Sequence, residues 1–151
     1  MSIFRQLDSI ASRTNDTINA GWVRIVPRVD GSNPNARRSA DPAREVVDVE
    51  GIFEYNSIEF GMELGVRKSY REANDLRNVS VGRTPDISID RRWFPDKDKE
   101  PRQGDHLYML RAAAGGGLEV DPGYPAFEVM DNQRDGLART LLRLIQLGSQ
   151  T

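Results

Sequence analysis

The apolar spacing of this chain changes at Gly21 from about 3.6 residues to two, and that one switch restricts the fold to a leading helix and a body of strands. Upstream of it, Ile3, Leu7, Ile10, Ala11 and Ile18 fall on one stripe. The spacing predicts an amphipathic helix over 3–19, with Ser2 placed to cap it and Gly21 placed where it stops. Downstream, Val23, Ile25 and Val29 alternate with Arg24, Val26 and Arg28, the pattern of a half-buried strand, and Pro27 predicts that this strand lies at an edge or carries a bulge. A second β segment, Glu45 to Glu54, contains Gly51, which predicts a bulge or tight bend there.

The second half reads as a meander of strands: Leu76 to Val81, Asp86 to Phe94, His106 to Arg111, Ala126 to Met130 and Leu137 to Leu147. The last of these has apolar positions that also fit a helix, and the hairpin signal Asp135-Gly136 before it selects a strand. Between the strands stand two long loops. Residues 30–44 hold two prolines and almost nothing suited to a core, which predicts an exposed, mobile loop; residues 56–75 carry Gly61 and Gly65. Loops of that length in a compact domain are commonly functional or become ordered on binding. With 151 residues the chain is expected to form a single domain, 1–151, with a β core over 22–148. The predicted fold class is mainly β, a small β-barrel or sandwich with an N-terminal α-helix and two long loops.

Composition excludes several classes of function. The apolar set is 38% of the chain, and the 13 glycines raise it to about 47%, the range of globular domains, so a fully disordered chain is not expected. Lys and Arg number 21 and Asp and Glu 23, a net charge of −2, which leaves no global field to draw the protein onto polyanions. The absence of cysteine removes disulfides, thiolate metal sites and thiol nucleophiles together. The N-terminus lacks the apolar block of a signal peptide and no stretch approaches a transmembrane span, so a soluble, unexported protein without a membrane partner is expected.

No persuasive catalytic set emerges. His106 is the only histidine, so a triad would have to use it as its base. The run Asp96-Lys-Asp98-Lys-Glu100 has acidic spacing like a calcium loop, but Pro101 and Leu107 stand where that loop needs glycine and glutamate, and a solvated turn is expected. Gly115 to Gly117 lack a following GK[ST] and read as a hairpin tip. Acidic pairs such as Asp131 with Asp135 have spacings that any charged surface produces. No enzyme activity, cofactor or metal is expected.

The basic residues are distributed unevenly. Residues 1–44 carry seven basic and four acidic side chains, and residues 45–110 carry ten and fourteen. Arg37, Arg38 and Arg44 on the first loop, with Arg67, Lys68 and Arg71 on the second, are therefore the candidate interface or channel residues, suited to phosphates or an acidic partner surface. Arg102, Gly104 and Asp105 form a candidate structural turn: Gly104 supplies the turn conformation and Asp105 can bond the turn's own amides.

Three patches of this sequence resemble the head-tail joining (attachment) proteins of lambda-like tailed phages. The helix with Phe4, Leu7, Asp8, Ala11, Arg13, Asp16, Thr17 and Ile18 is similar to that family's opening helix. Val49-Glu50-Gly51-Ile52-Phe53-Glu54 resembles its Arg-Gly-Val-Phe strand, with Glu50 in place of the arginine. Ile87-Ser-Ile89, then Arg102-Gln-Gly104-Asp105-His-Leu107, then Phe127-Glu-Val129, is similar to its "strand, basic-x-Gly-Asp-x-Leu, aromatic-x-Val" pattern. The chain departs from the family in its longer 30–44 loop and in extra residues at Lys97 to Pro101 and Ala112 to Pro125.

The resemblance implies a non-enzymatic neck protein of the virion, assembled in the host cytoplasm. Its expected form is a homo-oligomeric ring, a hexamer, on the portal or head-tail adaptor. It would receive the tail terminator or tail tube and help retain packaged DNA without reading its sequence. A tail terminator or other tail-side ring protein, and an unrelated β-barrel binding module, are the alternative expectations.

Overall fold

The computed structural model describes residues 2–59 and 81–148. Within these residues one α-helix, α1 (Ile3–Asn19), is followed by nine strands: β1 (Gly21–Val26), β2 (Arg28–Val29), β3 (Ser39–Ala40), β4 (Val47–Glu59), β5 (Val81–Asp90), β6 (His106–Ala112), β7 (Leu118–Val120), β8 (Phe127–Asp135) and β9 (Arg139–Gln146). The fold is mainly β with one N-terminal helix. Seven strands form one antiparallel sheet in the order β1-β4-β5-β9-β8-β6-β7, and β1 also pairs with β6, so the sheet curls back on itself. The seam is narrow where β6 meets β8, at His106–Glu128 and Leu107–Phe127 only, which makes the body closer to a sandwich than to a regular barrel.

Period-two alternation fills the interior. Val23 and Ile25 of β1, Val49 of β4, Ile87 and Ile89 of β5, Leu107 of β6, Phe127 and Val129 of β8, and Leu142 and Leu144 of β9 are all buried, with Phe94 closing the cluster. The β9 segment is a strand, joined to β8 by a turn in which Gly136 takes a positive φ of 66°. The tip at Gly115 to Gly117 joins β6 to β7, with Gly116 and Gly117 at positive φ.

Several expectations are corrected. β1 is paired on both sides, so Pro27 does not mark an edge strand; it ends β1 before the short β2. Val29 is exposed rather than in the core. Gly51 sits in unbroken register with Gly21 and Ile89, and its role is close packing: a Cβ there would lie 2.8 Å from Ile87 Cδ1. The register shift falls instead between Val129 and Asp131. β4 runs on to Glu59, into the segment expected as loop 56–75. β5 begins at Val81 and stops at Asp90, whose side chain accepts from the Arg92 amide and turns the chain into a short 3-10 helix. Pro85 is tolerated in β5 because β9 pairing begins only at Asp86, so at Pro85 the strand has β4 alone as neighbour.

The first loop is exposed but anchored rather than free. It contains the β2–β3 pairing, Asp41 N donates to Pro27 O, and Arg38 bonds Asp30. Ser2 occupies the N-cap, yet its hydroxyl makes no capping bond; its carbonyl accepts from the amides of Arg5 and Gln6.

The helix is oriented against the usual rule. Amphipathic helices ordinarily turn the apolar stripe to the core, but Ile3, Phe4, Leu7, Ile10 and Ile18 are each more than half exposed, and the buried residues of α1 are Ser12 and Asp16. The polar face docks through Arg139. Its Nη1 lies 2.8 Å from Asp16 Oδ1 and 2.8 Å from Ser12 Oγ, and its Nε and Nη2 donate to the hydroxyl and carbonyl of Ser88 on β5. Ser12 in turn donates to Asp90. Removing one partner of a buried pair leaves the other charge uncompensated. Asp16→Ala is therefore expected to cost about 3 kcal/mol or more, a Tm drop on the order of 10 °C in a thermal melt; an unchanged Tm would show that α1 is not docked through this pair.

Candidate functional site

The geometry around the Gly104-Asp105 turn begins with one carboxylate. Asp105 is fully buried, and its side chain accepts from the amides of Arg102 (2.9 Å) and Arg28 (3.0 Å) and from both terminal nitrogens of Arg44 (3.0 and 2.6 Å). Asp105 does bond its own turn, as the sequence suggested, and it also ties the turn to the exit from β1 and to the end of the first loop. Arg44 is thus a mostly buried structural partner rather than a free interface residue, and its Nη2 bonds Glu100 O as well. This corrects its assignment as an interface or channel residue: the carboxylate that holds it lay 61 positions away in sequence.

Gly104 has φ of 93°. A side chain there would be strained by that angle and would also collide with Arg38, whose Nη1 lies 1.3 Å from the position a Cβ would take. Arg38 is held over the glycine by Asp30 (2.6 Å) and by Gln103 O (3.3 Å). Arg102, the third turn residue, gives its amide to Asp105 and points its guanidinium outward, 3.7 Å from the exposed Asp98.

This arrangement opens a cleft of about 920 Å³ lined by Arg28, Arg37, Arg38, His106, Tyr108 and Glu128, with the 146–148 segment along one wall. Arg37 and Arg38 were expected together and are found together. Arg28 was missed, because in the sequence it is one more polar position in a strand pattern. Its Nη2 donates to Arg38 O, and its Nε is buried without a hydrogen-bond partner among the described residues. His106 and Tyr108, two residues apart on β6, face the same side; the Tyr108 hydroxyl is 3.4 Å from His106 Nδ1 and Glu128 is 3.8 Å from His106 Nε2. Arg44 opens instead onto a separate cleft of about 480 Å³ with Lys97, Lys99, Asp96 and Asp98. Arg67, Lys68 and Arg71 lie outside the described residues, as does most of the strand expected at 76–81.

Chemically, the larger cleft presents guanidinium groups on a mixed polar and apolar wall, an arrangement that receives carboxylates or phosphates by bidentate bonding. Among the described residues no three metal-ligating side chains converge, and no helix is long and apolar enough to cross a membrane. No protein-family model matches the chain, and no curated protein matches it.

Burial, and then the positive charge of Arg28, push His106 below its ordinary value of 6.5, against smaller opposing effects from Glu128 and Asp105. The unfolded chain takes up this proton near 6.5, whereas the folded chain takes it up only at lower pH. Stability therefore falls as pH drops through that window and levels off below the folded value. Melting curves between about pH 7 and pH 5 should show wild type losing more Tm than His106→Gln; parallel losses would mean that the histidine is not the group that titrates.

Proposed function

We propose that this chain is a structural virion protein of a phage neck. It forms a ring between the DNA-filled head and the tail, and it helps retain the packaged genome. Its partners in this reading are further copies of itself, a hexamer, together with the portal or head-tail adaptor on one side and the tail terminator or tail tube on the other. DNA passes its arginines without sequence readout. The protein is not an enzyme, and its place is the virion neck after assembly in the host cytoplasm.

The observation that carries the reading is the cleft that gathers Arg28, Arg37 and Arg38 on a stitched β body. A ring lining that meets DNA needs cations that bond phosphates without reading bases; a ring that meets a neighbour's acidic face needs the same groups. The segregation of basic residues towards the first 44 positions and acidic residues towards the middle of the chain supports the second contact as well as the first. The Arg102-x-Gly104-Asp105 segment, on which the resemblance to head-tail joining proteins leans most, is also the hub of the fold.

Electron microscopy of the phage with antibody to this protein tests the reading, scoring intact particles and tailless DNA-filled heads separately. Label at the head vertex of both is expected. Label on free tails alone would transfer the protein to the tail terminator class, and no label on any particle, with the epitope shown to be accessible, would favour a binding module. Among the arginines, Arg37 is exposed and makes no hydrogen bond or ion pair with the described residues, so Arg37→Glu should keep Tm within what about 0.5 kcal/mol allows and still lower the yield of intact particles. Arg38→Glu is expected to lower Tm as well, since it puts a carboxylate beside Asp30 over Gly104. Normal particle yield from Arg37→Glu would remove that side chain from the assembly surface.

A further inference from the structure

The wall of the arginine cleft carries three further side chains for which the arginines do not account. His106 lies between Tyr108 and Glu128, its Nδ1 3.4 Å from the tyrosine hydroxyl and its Nε2 3.8 Å from the Glu128 carboxylate, and all three line the cavity. An ionised carboxylate can only accept, so the neutral ring keeps its proton on Nε2, towards Glu128, and Nδ1 is left to accept from Tyr108. A proton taken up at Nδ1 reverses that second contact: the ring donates, the tyrosine oxygen accepts, and the tyrosine O–H is released to the cleft. The same proton sets a positive charge beside Glu128, whose carboxylate otherwise competes with an incoming anion for Arg28, Arg37 and Arg38.

We propose that the cleft takes a phosphodiester group and that His106 is the proton-gated determinant of its affinity. The inference rests on the reading of the cleft as a phosphate contact and adds what regulates that contact. Donors enter from three elements: Arg28 on β2, Arg37 and Arg38 on the first loop, and His106 with Tyr108 on β6. Donors spread in this way suit the tetrahedral oxygens of a phosphate, whereas a planar carboxylate is satisfied by a single fork. Burial is the main cost of charging the ring. Arg28 on β2 adds to that cost, and Glu128 on β8 and Asp105 in the preceding turn oppose it. Arg24, on β1 beside Tyr108, is taken by Asp48. An anion bound at Arg28 cancels the charge that resists protonation, so anion and proton each favour the other, and by linkage the two effects are equal in size.

Fluorescence anisotropy of the purified full chain with a labelled short oligothymidylate, at about pH 7 and about pH 5, tests this, with circular dichroism confirming the fold at both. His106 is the chain's only histidine, so it is the one side chain whose ordinary pKa falls inside that range, and phosphodiester charge is constant across it. Binding is expected to tighten at least about fivefold at the lower pH, the low end of coupling between two sites. His106→Gln should bind equally at the two pH values, and Tyr108→Phe should show a smaller gain than wild type. The C2 proton of the single imidazole gives the reciprocal reading by NMR: its titration midpoint should rise by about 0.7 of a pH unit when the oligonucleotide is present, the logarithm of the same factor. Equal wild-type affinity at the two pH values, an unmoved midpoint, or a gain that survives His106→Gln overturns the inference and leaves the cleft as a phosphate contact. No binding at either pH overturns both. A polyaspartate peptide that binds more tightly than the oligonucleotide overturns the assignment to phosphate and points the cleft at an acidic protein face.

Discussion

The carboxylate of Asp105 is the constraint on which the closure of this fold depends. The sheet can curl back on itself only if β6 is held between β1 and β8, and the β6–β8 ladder contributes just two residue pairs. The turn before β6 extends that seam, with Gly104 N donating to Val129 O and Val129 N donating to Asp105 O, both at 2.8 Å. These bonds are positioned because the Asp105 side chain fixes the turn from within. A fully buried carboxylate would be costly alone, but two amides and the fork of Arg44 occupy its acceptor sites. The same contacts tether the first loop at its end, so the arginine cleft and the β6–β8 seam are held by one group.

A second buried polar network does for the helix what apolar packing does in most proteins. Arg139 bonds α1 on one side and β5 on the other, so the docking is directional. Hydrophobic burial would tolerate a slide or rotation of the helix; a guanidinium fixed between Asp16, Ser12 and Ser88 does not. The apolar stripe is thereby kept outward, in a defined orientation, where it is available to another surface.

What the sequence made legible follows from local rules. Alternation marked Val23 and Ile25 of β1, Ile87 and Ile89 of β5 and Leu107 of β6, the hairpin signal Asp135-Gly136 selected a strand for β9, and Gly115 to Gly117 marked a real hairpin tip, because these signals depend on nearest neighbours and backbone conformation. What was not legible depends on partners distant in sequence. Gly51 has a strand pattern around it, and only the approach of Ile87 and Ile89 explains the missing side chain. The stripe of α1 was visible, but its facing was not: periodicity gives the direction of an apolar face relative to the helix, and Arg139, more than 120 positions later, decides which face turns inward. Arg44 was misread for the same reason: a charged residue has the same appearance in sequence whether it meets water or a buried carboxylate.

The charge of the cleft sets a condition on how it works. Arg28, Arg37 and Arg38 face Glu128, Asp30 neutralises Arg38, and His106, held below its ordinary value, adds no charge at neutral pH. One copy therefore brings little net positive charge, and at physiological ionic strength its field fades within about 8 Å. A single cleft of this kind holds a polyanion weakly. Repetition changes that: a ring places one cleft per subunit around a common axis, and contacts that are weak singly become cumulative when one long ligand spans them. In the proposed ring, anion binding would thus depend on self-association, because the arginine cleft is needed in several copies.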